Sequence, residues 1–338
     1  MINVGVLGAT GAVGQRFVQL LADHPFFELS VLTASGRSAG KSYKDAVNWR
    51  LDVPLPDSIS EIVVSETNVK ALKNVDLVFS ALPADLASNI ETECAKAGLG
   101  VCTNASAHRM DEEIPLVVPE INPDHLGLID LQHDAGWDGF IVTNPNCSTI
   151  MLTMSLVPLR NFTFTDLKVA TMQAISGAGF EGVAGMSIFD NVIPYIGGEE
   201  EKMEKETKKI MGSFDGNTII KAPFSVSASC NRVPVIDGHT MSVWLDIKES
   251  VEKVTEAFRT WKPPIRDLPT LPESSLDLMS QQDRPQPRLD RNKGKGMTVS
   301  VGRIRPQIRY TAMGHNTIRG AAGASVLNAE LIRDREYI

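Results

Sequence analysis

The sequence predicts an α/β protein: a Rossmann-like, doubly wound parallel sheet, followed by a second α+β domain built on a mostly antiparallel sheet. Three observations carry this. The apolar run Ile2-Asn3-Val4-Gly5-Val6-Leu7 leads straight into Gly8-Ala9-Thr10-Gly11-Ala12-Val13-Gly14 and then into a helical pattern. Strand-like and helix-like segments alternate from there to about residue 143, as βαβ units do, with ligands expected over the strand C-termini. After Cys147 the pattern changes to long strand-like runs at 166–176, 226–234 and 239–247, with helical patterns at 199–211 and 250–261. A chain of 338 residues is long enough for two such domains.

The first strand closes on a phosphate cradle. Glycines at 8 and 11 let the backbone approach a pyrophosphate at the amino end of the helix that follows. The spacing is GxxGxxG, not GxGxxG, so the placement of the turn after the first strand carries the argument. The helix (Phe17, Val18, Leu20 and Leu21 apolar) closes before Pro25. A second strand covers 27–32. An NAD-reading acid belongs at its end, but the residues from Thr33 to Lys41 include no Asp or Glu. Ser35, Arg37 and Ser38 suit a 2′-phosphate, which points to NADP; a solvated basic loop is the alternative. Residues 43–60 form an excursion. A central strand at 75–83 places Ser80 toward the cofactor, and a helix at 84–97 leads to a strand at 99–103. Arg109 lies in the loop after Asn104, where a surface charge is the default. Residues 115–120 are extended.

The strand at 140–143 ends in Asn144-Pro145-Asn146-Cys147. Pro145 favours an extended approach, Asn146 is a good N-cap, and Cys147 becomes the first helical residue. Unpaired N–H groups and the helix dipole there lower a thiol's pKa, so a preformed thiolate nucleophile is expected, with N–H donors for an oxyanion. A buried structural cysteine is the competing reading. Gln173-Ala174-Ile175-Ser176-Gly177 ends a strand in a glycine turn. Arg232 and His239 flank an expected hairpin at Asp237-Gly238. Glu199, Glu200 and Glu201 open a helix, where acids are ordinarily stabilising. Residues 262–291 read as a long loop, and strands follow at 297–304 and 307–312. The small-residue segment His315–Gly323 and its helix are expected to return to the first domain. The domains are then 1–146 plus 315–338, and 147–314.

Composition removes other classes. A net charge of −8 argues against a polyanionic partner, and the basic stretch 284–295 is broken by acids and prolines with no interleaved aromatics. A strand beginning at Ile2 leaves no room for a signal peptide, and no apolar run approaches a membrane span. Four cysteines without CxxC spacing suggest reduced thiols in the cytoplasm. The histidines lack ligand spacing, so no metal is expected.

Taken together, Gly8–Gly14, Asn144–Thr149, Gln173–Gly179, the Arg232/His239 pair and Asn316–Gly323 resemble, in order and spacing, the aspartate-β-semialdehyde dehydrogenases, specifically their archaeal/fungal-type branch, along essentially the whole chain. The Asn-Pro-Asn-Cys-Ser-Thr block and the Arg-x6-His pair are the specific elements. The resemblance implies NADPH-dependent reductive dephosphorylation of L-4-aspartyl phosphate to L-aspartate 4-semialdehyde and phosphate, on the route to lysine, threonine and methionine, by a homodimer or homotetramer. It implies Cys147 as nucleophile (preceded by Asn146), His239 as general acid/base and Gln173 as the group orienting the thioester. Arg232 would bind the substrate carboxylate, Glu199 its amino group, and Arg109 with Lys202 the phosphate. Gly8, Thr10, Gly11, Ala12, Val13, Ser35, Arg37, Ser38, Ser176, Gly177 and Asn316 would hold NADP. Malonyl-CoA reductases are similar in fold but lack the second Asn of the nucleophile block, here Asn146. A non-catalytic paralogue is opposed by the intact set Cys147, Gln173, Arg232 and His239.

Overall fold

A computed structural model describes residues 1–338. Its first sheet holds β1 (Ile2–Leu7), β2 (Phe27–Ala34), β3 (Ser65–Glu66), β4 (Leu77–Ser80), β5 (Gly100–Thr103) and β6 (Phe140–Thr143) in the order β3-β2-β1-β4-β5-β6, all parallel. The order reverses between β1 and β4, which opens a crevice at their carboxyl ends. α1 (Ala12–Leu21) starts at that crevice with Gly11 as an N-cap that offers no side-chain hydrogen bond. Gly14 is required by close approach, since a Cβ there would lie 2.2 Å from the Gly8 carbonyl oxygen.

The excursion at 43–60 contains two short helices, α2 (Tyr43–Ala46) and α3 (Asp57–Ser60). α4 (Ala84–Lys96) and α5 (Leu128–Asp134) complete the parallel unit. Alternate strand residues feed two cores. Val4, Val6, Phe79 and Val142 pack with Phe17 and Leu21 of α1, whereas Leu7, Val78, Val101 and Ile141 pack with Ala87 and Cys94 of α4. Ser80 belongs to the second set. It is fully buried and its side chain lies beside the buried Glu91 of α4, so the expectation that Ser80 faces a cofactor is corrected. Strand alternation turns it toward the helix layer.

After β6 the chain enters α6 (Cys147–Leu156), where every residue from Ser148 to Leu156 is buried. A helix enclosed on all sides needs no polar face. The second sheet is built from β7 (Asp166–Gln173) and elements beyond it. α7 (Gly185–Ile188), α8 (Glu199–Ile210) and a small ribbon of β8 (Ser213–Phe214) with β9 (Ile219–Ile220) precede β10 (Ser225–Arg232) and β11 (His239–Leu245). Then come α9 (Val251–Thr260), β12 (Leu276–Met279), α10 (Pro287–Asp290), β13 (Val299–Arg305) and β14 (Arg309–Gly314). The order is β10-β7-β11-β14-β13-β12, with parallel pairing only at the two edges.

Two expectations fail here. Residues 262–291 are not all loop, because β12 and α10 lie within them; a four-residue strand flanked by Pro and Ser carries too short a pattern to read. Arg232 and His239 do not flank a hairpin. β10 and β11 lie on opposite sides of β7, and the connection between them crosses β7's carboxyl end, where Val233 N–H donates to the Gln173 carbonyl and Ile175 N–H to that of Val235.

The C-terminal segment passes through a π-helical turn (Ile318–Ala322) into α11 (Gly323–Asp334), whose Val326, Leu327 and Leu331 join the α1 side of the parallel sheet's core. No helix is long and apolar enough to cross a membrane.

Candidate active site

Pro145 keeps β6 extended to its end, and Asn146 then caps α6. Its Oδ1 accepts from the N–H groups of Ser148 at 2.9 Å and Thr149 at 3.1 Å. Cys147 is therefore the first helical residue, as expected. Its Sγ lies 3.3 Å from His239 Nε2. The crossover that replaces the hairpin has a consequence here: it sets Arg232 and His239 on either side of Gln173, because Arg232 is in register with Gln173 across β10 and β7.

His239 is fully buried, and its Nδ1 accepts from Ala174 N–H at 3.0 Å. In the neutral ring the proton then belongs on Nε2, directed at the sulfur. Burial, and next the Arg232 charge, push His239 down to about 3, so the ring is a neutral hydrogen-bond donor. An acid/base role requires the ring to give up Ala174 first, because a protonated Nδ1 would face another N–H.

The preformed thiolate is a correction. Burial raises the Cys147 thiol to about 12, and Glu199 pushes the same way; Arg109, the Ser148 N–H and Arg232 oppose without prevailing. The helix end is placed as expected, but desolvation of the anion outweighs it.

Glu199, in the first turn of α8, is a buried hub. One oxygen accepts from Asn146 Nδ2 at 2.9 Å and the other from Gln173 Nε2 at 2.9 Å. Arg232 donates from Nη1 to the Ala174 carbonyl at 2.7 Å and pairs with no carboxylate, Asp237 included. A Cβ on Gly177 would meet Arg232 Nη1 at 2.8 Å, so the glycine turn is packed directly onto the guanidinium.

A cavity of about 220 Å³ opens over Cys147, with Ala12 and Val13 on one side and Arg109, Ser176 and Asn316 on others. Arg109 is not the surface charge its loop position suggested. It is 8 % exposed, donates to the Asn104 carbonyl at 2.7 Å and pairs with Glu206 at 3.0 Å. Asn316 ties the walls together, donating to Ser176 Oγ at 2.7 Å and accepting from Gly238 N–H at 2.8 Å. Gly320 forms the floor; a Cβ there would come within 2.6 Å of Cys147 Cβ.

Other predicted residues lie apart. Ser35, Arg37 and Ser38 follow β2, whose Thr33 carbonyl accepts from the Gly8 N–H at 3.0 Å; Arg37 is exposed. They border the crevice but not the cavity over Cys147. Lys202 is half-buried, one turn beyond Glu199, and its side chain makes no hydrogen bond or ion pair. Sequence reasoning missed Glu206 and Asn104. Glu206 falls seven residues after Glu199, on the same face of α8, and that spacing was a usable signal.

Two of the features that hold a nicotinamide dinucleotide in other proteins have counterparts here, a glycine turn whose Gly14 leaves no room for a Cβ and an uncapped helix end, while the acid that reads an NAD ribose is missing after β2. Residues 3–129 match the family model "Semialdehyde dehydrogenase, NAD binding domain", and residues 156–319 match "Semialdehyde dehydrogenase, dimerisation domain". The chain is 53% identical to an aspartate-semialdehyde dehydrogenase of Archaeoglobus fulgidus, covering 99% of both chains. It is 47% identical to that of Saccharomyces cerevisiae, covering 99% of this chain and 98% of the relative. Among solved structures, an aspartate semialdehyde dehydrogenase with NADP from Candida albicans superposes with a TM-score of 0.91 at 43% identity, covering 100% of both chains. One of Vibrio cholerae complexed with ASA gives 0.78 at 28% identity, covering 100% of this chain and 99% of that one.

Proposed function

The chain belongs to the aspartate-semialdehyde dehydrogenase family, and on that premise we propose that it converts L-4-aspartyl phosphate to L-aspartate 4-semialdehyde with NADPH, through a thioester on Cys147. The observation that carries the reading is the Cys147–His239 contact of 3.3 Å at the amino end of a buried helix, beneath a cavity lined by Arg109 and the glycine-rich turn.

The chemistry follows from the residues. The Cys147 sulfur forms a bond to the acyl carbon as its S–H bond and the carbon–oxygen bond to phosphate break; the departing phosphate carries the proton away, and Arg109 receives it. Bound NADPH supplies the hydride that reduces the thioester. His239 Nε2–H then faces the oxygen or sulfur that carries the developing negative charge, and collapse of the hemithioacetal releases aldehyde and thiolate. Gln173 and Asn146 are held by Glu199 so that the carbonyl meets fixed groups. The assay that tests this is phosphate-dependent reduction of NADP with aspartate semialdehyde, run beside malonyl-CoA with NADPH. Turnover only in the second arm would overturn the reading in favour of a malonyl-CoA reductase; turnover in neither arm would favour a non-catalytic protein.

Arg232 is assigned to the substrate carboxylate. A guanidinium offers two parallel hydrogen bonds, an ammonium only a point charge. Arg232→Lys should lower kcat/KM by about 10²-fold with an unchanged melting temperature. Near-native kinetics would remove Arg232 from the site, and a large fall in melting temperature would recast it as structural.

Arg37 is assigned to the 2′-phosphate of NADP. Arg37→Ala should raise the KM for NADP by about 10- to 150-fold, the range for one charge-assisted contact, with little change for NAD. Equal effects on both cofactors would show that Arg37 does not reach the 2′-phosphate.

We also propose the division into 1–146 plus 315–338 and 147–314, and a homodimer formed on the second sheet. The face carrying Met172 and Trp244 is uncovered, at 36% and 38% exposure, within the region matching a dimerisation domain. The four unpaired cysteines suit a reducing cytoplasm.

A further inference from the structure

Glu206 sits two turns along α8 from Glu199 and is only 2% exposed. Its two oxygens serve different parts of the site. Oε1 accepts from Arg109 Nη1 at 3.0 Å, and Oε2 accepts from the backbone N–H of Asn146 at 2.7 Å. Asn146 caps the helix that Cys147 begins, so this carboxylate grips the amino end of the nucleophile helix with one oxygen and a cleft-lining cation with the other.

Building on the function proposed above, we propose that Glu206 is a positioning residue that couples the phosphate-binding guanidinium of Arg109 to the amino end of the Cys147 helix. Both of its partners are donors. A carboxylate gives each an acceptor, whereas an amide of the same shape must turn its NH2 toward one of them. Glu206 and the Asn104 carbonyl fix both terminal nitrogens of Arg109, and Nε is left buried without a protein partner. The guanidinium is therefore held at two points, with donor capacity in reserve for an anion. Glu199 does a different job with the same residue type, since its oxygens hold the side-chain amides of Asn146 and Gln173. An anion arriving at Arg109 meets a guanidinium that Glu206 already holds in place, and any shift of Glu206 is transmitted to the Asn146 N–H one residue before the sulfur.

The test compares wild type with Glu206→Gln and Glu206→Asp in two readouts. In the phosphorylating direction, Glu206→Gln should raise the KM for inorganic phosphate about 10-fold or more, the loss of one charge-assisted contact, while the KM for the aldehyde stays within about twofold. The second readout is the rate of Cys147 alkylation by iodoacetamide as inorganic phosphate is titrated, without cofactor or aldehyde. Wild type should show a saturable effect of phosphate, with its midpoint moved by the same factor in Glu206→Gln. Glu206→Asp keeps two acceptors on a shorter arm and should fall between; if Glu206→Gln does not fold, it carries the comparison. A purely structural role would lower the melting temperature and the active fraction without separating the two KM values. The inference is overturned if the phosphate KM and the alkylation midpoint stay within about twofold of wild type, if both KM values move together, or if phosphate leaves wild-type alkylation unchanged. Absence of turnover in wild type would overturn the proposed function instead, and the alkylation midpoints would still decide the role of Glu206.

Discussion

Cys147→Ala should lower turnover by more than about 10⁴-fold while affinity for NADP stays within about twofold. The two halves of this result have separate physical origins. The sulfur forms the only covalent bond to substrate in the proposed path, and alanine has nothing to replace it. The cradle at Gly8–Val13 belongs to β1 and α1, which keep their own packing when one sulfur is removed from α6. Turnover above a trace would sink the covalent route. The wild-type thiol also has a pH signature. Burial raises it to about 12, so the thiolate fraction, and with it the alkylation rate, should climb about tenfold per pH unit up to pH 9 or beyond. An alkylation rate already flat below pH 7 would mean that the helix end had won and that a thiolate is present at rest.

That reversal shows where the sequence stops being readable. The location of Cys147 was legible because it rests on local rules: proline before, asparagine as cap, an apolar helix after. Its protonation was not, since desolvation depends on what the rest of the chain brings around the sulfur. The same contrast recurs at β10 and β11. Their strands were visible from composition and alternation, but Asp237-Gly238 looked like a hairpin turn because the signal is local, while the partner of each strand is β7, far away in sequence. Ser80 failed for a related reason. Its strand was right, but the strand's alternation sends the side chain toward α4. Glu206 was obscured within a run of helix-surface charges; its seven-residue spacing from Glu199 was the local signal, and the fold separates it from Glu204 and Glu201, which are half-buried and exposed. Arg109, which its loop position alone would leave on the surface, is interior because α8 brings an acid to it.

Arg319→Met should destabilise the fold by about 3–5 kcal/mol, the cost of leaving a buried carboxylate without its cation. Arg319 and Glu120 are both 0% exposed, and the pair is bidentate, Nη1 to Oε1 at 2.8 Å and Nη2 to Oε2 at 2.9 Å. Water cannot solvate Glu120 once methionine replaces the guanidinium, and methionine fills much of the volume, so the loss is electrostatic and not a cavity effect. The double variant Arg319→Met/Glu120→Leu removes both charges and should recover most of the stability, because an apolar pair avoids the desolvation that the ion pair only offsets. Denaturant midpoints of wild type, Arg319→Met, Glu120→Leu and the double variant close the cycle; Arg319→Met within about 1 kcal/mol of wild type would show that Glu120 finds another partner or protonates. The pair also bears on the chemistry. Arg319 lies in the π-helical turn immediately before Gly320, whose backbone packs against Cys147. Loss of Arg319 frees that turn beneath the nucleophile, so kcat in the single variant should fall even at temperatures where it stays folded. The double variant should regain stability more completely than kcat, because a leucine–methionine contact lacks the directional hold of two parallel hydrogen bonds. Equal recovery of both would mean that the ion pair supports the floor of the site through stability alone.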